Sequence, residues 1–150
     1  MPKTAVVAGV GPGLGASLVQ KFAREGCRVG MLARSETYLT GLESELRNSD
    51  LSVLAVPVDI TDPDRVADGF NRVRETFGPL DILVNHASAA SWKGLLDLTA
   101  DEFELAWRVS AYGAFLCSRE AVPDMLESGG GAILITGATS SIRGREGALA

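Results

Sequence analysis

Short apolar runs alternate with helix-period stretches from the first residues onward. Thr4-Ala5-Val6-Val7-Ala8, rich in β-branched residues and closed by a glycine, reads as a buried strand. Residues 13–26 follow as a helix, with Leu14, Leu18, Phe22 and Ala23 on one face and Gly26 as its C-cap. The spacing then predicts a strand over 27–33, a helix over 35–48 with Leu39, Leu42 and Leu46 inward, and a strand over 51–58. Thr61-Asp62-Pro63 supplies a cap and a first-turn proline for a helix whose stripe is Val66, Phe70, Val73 and Phe77. Residues 80–85 form a fourth strand. Thr99-Ala100-Asp101-Glu102 has the form of a capping box and opens a long helix over 100–126. Residues 131–137, centred on Ala132-Ile133-Leu134-Ile135, are a fifth strand.

Strands one, three, four and five are apolar on both parities, the pattern expected of parallel strands covered by helices on both faces. The repeated strand-helix unit with short loops predicts an α/β fold: a Rossmann-type, doubly wound parallel sheet with right-handed crossovers. No linker, low-complexity tract or fixed-period repeat divides the chain, so residues 1–150 read as a single domain. Ala150 lies in a Gly/Arg/Ser loop just after strand five, without a helix to cover that strand, and the sequence therefore reads as cut short there.

Composition narrows the function classes. The 150 residues are 46% hydrophobic, 22% charged and 6% aromatic, values of an ordinary globular protein with one packed core rather than a disordered or disulfide-dense chain. A net charge of −5 without long like-charge blocks argues against nucleic acid as a partner, so any bound phosphate must be held locally. Cys27 and Cys117 lie far apart with no Cys/His cluster beside them and read as buried thiols, not a disulfide or metal site. The opening residues are interrupted by Gly and Pro too often for a signal peptide, and no run is long enough to span a membrane. The expected location is the cytoplasm.

The chemistry is concentrated in Gly9-Val10-Gly11-Pro12-Gly13-Leu14-Gly15, between a predicted strand and a predicted helix. In that context a backbone without Cβ can approach a pyrophosphate, and the helix N-terminus presents amides to it. Three registers fit: Gly11-x-Gly13-x-x-Ala16, Gly9-x-Gly11-x-Gly13 and Gly9-x-x-x-Gly13-x-Gly15. At the end of strand two a carboxylate would bind ribose hydroxyls and an arginine would suit a 2′-phosphate. The chain has Ala33-Arg34-Ser35 there, which favours NADP(H) over NAD(H) and counts against an S-adenosylmethionine methyltransferase.

With its flanking elements, the third register resembles the short-chain dehydrogenase/reductase family, whose first turn reads T-G-x-x-x-G-x-G; Ala8 stands where that family has Thr. Val58-Asp59-Ile60-Thr61 is similar to the family's acidic segment after strand three, which receives the adenine amino group. Asn85-His86-Ala87-Ser88 occupies the place of its N-N-A-G. Trp107-Arg108-Val109-Ser110 with Gly113 and Phe115, then Ala121-Val122-Pro123-x-Met125, resembles its long helix. The resemblance covers the whole chain and implies cofactor contacts at Gly9, Gly11, Gly13, Leu14, Gly15, Arg34, Asp59, Ile60, Asn85 and Ala87. It also implies hydride transfer between a nicotinamide and a small carbonyl or secondary alcohol, and a homo-dimer or homo-tetramer.

The departures fall on the reacting groups. The family's catalytic Tyr and Lys would lie beyond Ala150, Ser110 stands at its helix Asn, and Ala138 aligns with its catalytic Ser. Ser140, two residues on, faces the same side of an extended chain and is the expected substitute hydroxyl, with Thr139 a weaker one. Ser110 offers one hydroxyl where an amide offered two donors and an acceptor. His86, the chain's one imidazole, is a further proton-donor candidate. The alternative function is a catalytically impaired NADP(H)-binding sensor or scaffold.

Overall fold

The computed structural model describes residues 1–139, 142 and 143; Ser140 falls outside the described residues. Its elements run β1 (Thr4–Ala8), α1 (Leu14–Arg24), β2 (Arg28–Ala33), α2 (Glu36–Arg47), β3 (Val53–Pro57), α3 (Pro63–Phe77), β4 (Ile82–Asn85), α4 (Ala100–Trp107), a π turn (Arg108–Tyr112), α5 (Gly113–Glu127) and β5 (Ala132–Ile135). The five strands are parallel in the order β3-β2-β1-β4-β5, with Val6 paired to Gly30 on one side and Leu83 on the other. This is the doubly wound sheet that the alternation of elements predicts.

Two apolar layers hold the sheet. Val6, Ala8, Leu32, Val56 and Leu83 pack with Phe70 and Val73 of α3 and with Leu116 and Cys117 of α5. On the opposite face Ala5, Val7, Met31 and Val84 pack with Val19 of α1 and with Leu39 and Leu42 of α2. Each such fully buried aliphatic or aromatic side chain contributes about 1.5–3 kcal/mol of hydrophobic stabilisation. Helix boundaries follow their caps. Asp62 accepts from Asp64 N and Arg65 N ahead of Pro63, and Thr99 and Glu102 complete a reciprocal capping box.

Four details depart from the sequence reading. On the face expected for α1, Ala23 is buried and Leu18 and Phe22 pack partly buried against the core, but Leu14 is 56% exposed and the other fully buried positions are Gly15 and Val19. The predicted long helix is interrupted by the π turn. Cys27 is only half-buried, ahead of β2, while Cys117 is buried and desolvation raises its thiol to about 12. β5 is exposed along all four residues, although both of its parities are apolar, whereas β3, at the other sheet edge, is packed against α2 on one face and α3 on the other.

Candidate functional site

A cleft of about 510 Å³ opens beyond the carboxyl ends of β1 to β4. β1 sends its chain to β2 on one side, while β4 flanks it on the other, so the strand order reverses at this crevice. Gly9, Val10 and Gly11 form one wall and Leu32 to Ser35 the second. Val58 to Thr61 form the third, and His86 to Ala89, with Leu105 and Val109, close the fourth.

Backbone hydrogen bonds pin the strand ends around it. Gly9 N and Val10 N both donate to Leu32 O at 2.8 and 3.0 Å, and His86 N and Ala87 N both donate to Ala8 O at 2.9 and 2.8 Å. Two of the glycines are required by this crowding. Gly9 has φ +98°, and a Cβ there would lie 2.4 Å from Ala87 N; a Cβ on Gly15 would lie 2.8 Å from Gly9 O. At Gly11 a Cβ would meet nothing within 4 Å. With Gly13 in the left-handed region as N-cap of α1, the backbone demands the spacing Gly9-x-x-x-Gly13-x-Gly15 among the three registers. α1 starts without a side-chain cap or a first-turn acid, so the positive partial charge of its amide end is uncompensated.

Arg34 follows β2, exposed, and its guanidinium takes part in no ion pair among the described residues. Across the cleft, Asp59 accepts from Thr61 N at 2.9 Å and Thr61 Oγ1 at 2.8 Å. The Thr61 amide holds the Asp59 carboxyl below its ordinary range, aided by the Thr61 hydroxyl and the Arg34 and Arg108 charges and opposed by partial burial. Ile60 is buried beneath it, against Gly113 at the end of the π turn.

The cleft gathers Gly9, Gly11, Arg34, Asp59, Ile60 and Ala87 of the expected residues. It does not include Gly13, Leu14, Gly15, Asn85 or Ser110 in its lining. Asn85 is 5% exposed behind the wall, where its Nδ2 donates to Ser118 Oγ at 3.2 Å, and its Oδ1 has no partner among the described residues. Ser110 Oγ accepts from Ala89 N at 3.3 Å and donates to Ala89 O at 3.4 Å, which ties the π turn to the loop after β4. Ala138 is exposed. Leu105 and Val109 are wall residues that sequence reasoning missed, because an apolar pair spaced by four on a helix reads as core.

Three comparisons bear on this geometry. A family model described as short chain dehydrogenase matches residues 3–150. An uncharacterized oxidoreductase of Thermotoga maritima is 33% identical over 94% of the chain and 55% of its own length. A versicolorin reductase of Emericella nidulans is 32% identical over 95% of the chain and 54% of its own length. The chain thus spans about half the length of these curated relatives. Among solved structures, an actinorhodin polyketide ketoreductase with NADPH superimposes with a TM-score of 0.93 at 26% identity, covering 98% of this chain and 57% of that one.

Proposed function

Because the chain belongs to the short-chain dehydrogenase family, we propose that it forms the nucleotide-binding half of an oxidoreductase that works with NADP(H) in preference to NAD(H). Its substrate class is a small carbonyl compound or secondary alcohol. The observation that carries this reading is the cleft itself: a main-chain wall at Gly9 to Gly11, packed so closely that neither Gly9 nor Gly15 leaves room for a Cβ, with the guanidinium of Arg34, in no ion pair among the described residues, at its rim. That pairing suits a diphosphate crossing the glycine wall and a 2′-phosphate on the adenosine. The bound dinucleotide supplies or takes up a hydride.

The chain's own residues divide the work of holding it. Gly9, Gly11, Gly13, Leu14 and Gly15 offer the main chain of the first loop. Asp59 keeps an ionised carboxylate for the adenine amino group, and Ile60 floors that pocket. Ala87 closes the wall beside the glycine loop, Asn85 fixes that wall from behind, and Ser110 positions the loop through Ala89. Ser140 is the proposed hydroxyl toward the substrate. The NADPH complex of the related ketoreductase supports the cofactor assignment. Apolar side chains exposed on α4 and α5, among them Phe103, Trp107 and Phe115, support assembly into a homo-dimer or homo-tetramer. No helix among the described residues is long and apolar enough to cross a membrane, and we assign the protein to the cytoplasm.

The test is a fluorescence titration of the full-length protein with NADPH and NADH, repeated on Arg34→Asp. Tighter binding of NADPH, reversed by the substitution, is the expected result; unchanged NADPH affinity in Arg34→Asp removes the 2′-phosphate assignment. A second reading, cofactor binding without turnover, draws on Ala138 at the family's Ser position and on Ser110 being engaged by Ala89. NADPH binding without oxidation across a panel of ketones and aldehydes would favour it.

A further inference from the structure

We propose that His86 is a positioning residue for the diphosphate bridge of the bound dinucleotide, and that Thr136 sets its tautomer. The inference rests on the dinucleotide reading and assigns a part of the site that the family resemblance leaves blank, since His86 stands where that family has Asn. His86 lines the cleft, and the Cδ2 edge of its ring lies 3.4 Å from the point a Gly15 Cβ would occupy, so the ring sits against the glycine loop. Its main-chain N–H is held by Ala8 O at 2.9 Å, which fixes the residue to the end of β1. The Nδ1 atom pairs with Thr136 Oγ1 at 3.1 Å, just past β5, while Thr136 N donates to Asn85 O at 2.9 Å. The main chain of Thr136 is thus tied to β4, and its hydroxyl holds the ring at Nδ1.

The remaining ring nitrogen, Nε2, has no hydrogen-bond partner among the described residues. A neutral imidazole has one donor and one acceptor nitrogen, and the hydrogen bond at one decides the role of the other. The Thr136 hydroxyl can act either way. When it donates to Nδ1, Nε2 carries the proton and is a donor. A phosphate oxygen offers only acceptors, so an anion at the glycine wall selects this arrangement. The threonine hydroxyl thus keys the histidine to an anionic ligand without requiring an imidazolium.

The test uses the full-length protein and calorimetry with two probes, 2′-phospho-ADP-ribose and adenosine 2′-monophosphate, which lacks the diphosphate bridge. His86→Ala is expected to weaken 2′-phospho-ADP-ribose about tenfold, the size of one charge-assisted hydrogen bond, and to leave adenosine 2′-monophosphate unchanged. His86→Gln, which keeps a donor, should restore most of the affinity. Thr136→Val should weaken the diphosphate probe in the wild-type background and add nothing in the His86→Ala background. Equal binding of 2′-phospho-ADP-ribose by wild type and His86→Ala overturns the inference while leaving the dinucleotide reading intact. Additive losses from the two substitutions overturn the role of Thr136, and loss of both probes in His86→Ala overturns the assignment to the diphosphate. Failure of the wild-type protein to bind either probe overturns the dinucleotide reading, and this inference with it.

Discussion

Gly9 and Ala87 meet main chain to main chain: a methyl group on Gly9 would stand 2.4 Å from the Ala87 nitrogen and 2.5 Å from its Cα. The contact joins the loops after β1 and β4, which form adjoining walls of the cleft. Since φ is +98° at Gly9 and the obstacle is backbone, no rotamer change can relieve an added Cβ. Gly9→Ala is expected to destabilise the fold by about 2–3 kcal/mol or more and to weaken NADPH binding over tenfold. Urea unfolding and an NADPH titration measure the two effects separately. Native stability in the variant would show that the walls can part without cost.

Much of this architecture is legible in the sequence because one face of an element was buried and the other was not. Val66, Phe70, Val73 and Phe77 define the inner face of α3 unambiguously, and Leu39, Leu42 and Leu46 do so for α2. In α1 the sequence offers apolar residues on several sides, and only tertiary contact selects Val19 over Leu14. The π turn left no local signal, since it is fixed by partners distant in the chain, Ser110 on Ala89 and Gly113 on Ile60. At the cleft, Gly9 and Arg34 are legible because a glycine loop between a strand and a helix, with an arginine at the end of the next strand, fits a phosphate site, whereas Asp59 is legible only through the family resemblance. Leu105 and Val109 look like any other core leucine and valine.

The approach of α5 to the cleft floor rests on Gly113. A Cβ at this position would lie 2.7 Å from Ile60 Cδ1 and 2.9 Å from Cγ1, and Ile60 is only 7% exposed. Gly113→Ala should therefore displace Ile60 toward the end of the cleft proposed to take the adenine. Overpacking of this kind costs about 1–3 kcal/mol. The expected readout is weaker binding of NADPH and of adenosine 2′-monophosphate alike, partly restored by adding Ile60→Val. A second substitution that restores stability but not binding would separate the floor from the ligand pocket.

Asp59 links the cleft to pH. Hydrogen bonds from Thr61, the amide first, lower its folded-state pKa. A lowered carboxyl contributes stability that is present above the unfolded value of about 3.9 and is lost as pH falls from there through the folded value. The Asp59 carboxylate should accordingly stay ionised throughout the neutral range. NMR titration of the side-chain carbon should place its midpoint below the ordinary aspartate range. Thr61→Val removes the 2.8 Å hydroxyl bond but keeps the amide, and should move that midpoint upward without restoring it fully. A midpoint unmoved by Thr61→Val would assign the whole effect to the amide and the arginines.

Arg74 and Asp124 tie α3 to α5 and to the entry of β4, far from the cleft. Arg74 Nε donates to Asp124 Oδ2 at 2.9 Å and Oδ1 at 3.2 Å, and Asp124 Oδ2 also accepts from Leu80 N at 3.0 Å. The same guanidinium reaches Asn71 Oδ1 at 2.9 Å and the Glu120 carbonyl. The two side chains are only 25% and 13% exposed, so removing Arg74 leaves a poorly solvated carboxylate on Asp124, whereas removing Asp124 still leaves Arg74 the Glu120 carboxylate at 3.6 Å. Asp124→Ala should lower stability by about 2–4 kcal/mol, since it also strands the Leu80 amide. Arg74→Ala should cost a similar amount, and the double variant clearly less than the sum, because removing Asp124 as well takes away the carboxylate that Arg74→Ala leaves without its guanidinium. Arg74→Lys keeps the charge but loses the paired donors, and should fall between wild type and Arg74→Ala. Urea denaturation of the four proteins gives the cycle directly, and NADPH affinity should stay within twofold of wild type wherever the protein is folded. Strict additivity would mean that the two groups stabilise the helices independently, and that the carboxylate serves the Leu80 amide rather than the guanidinium.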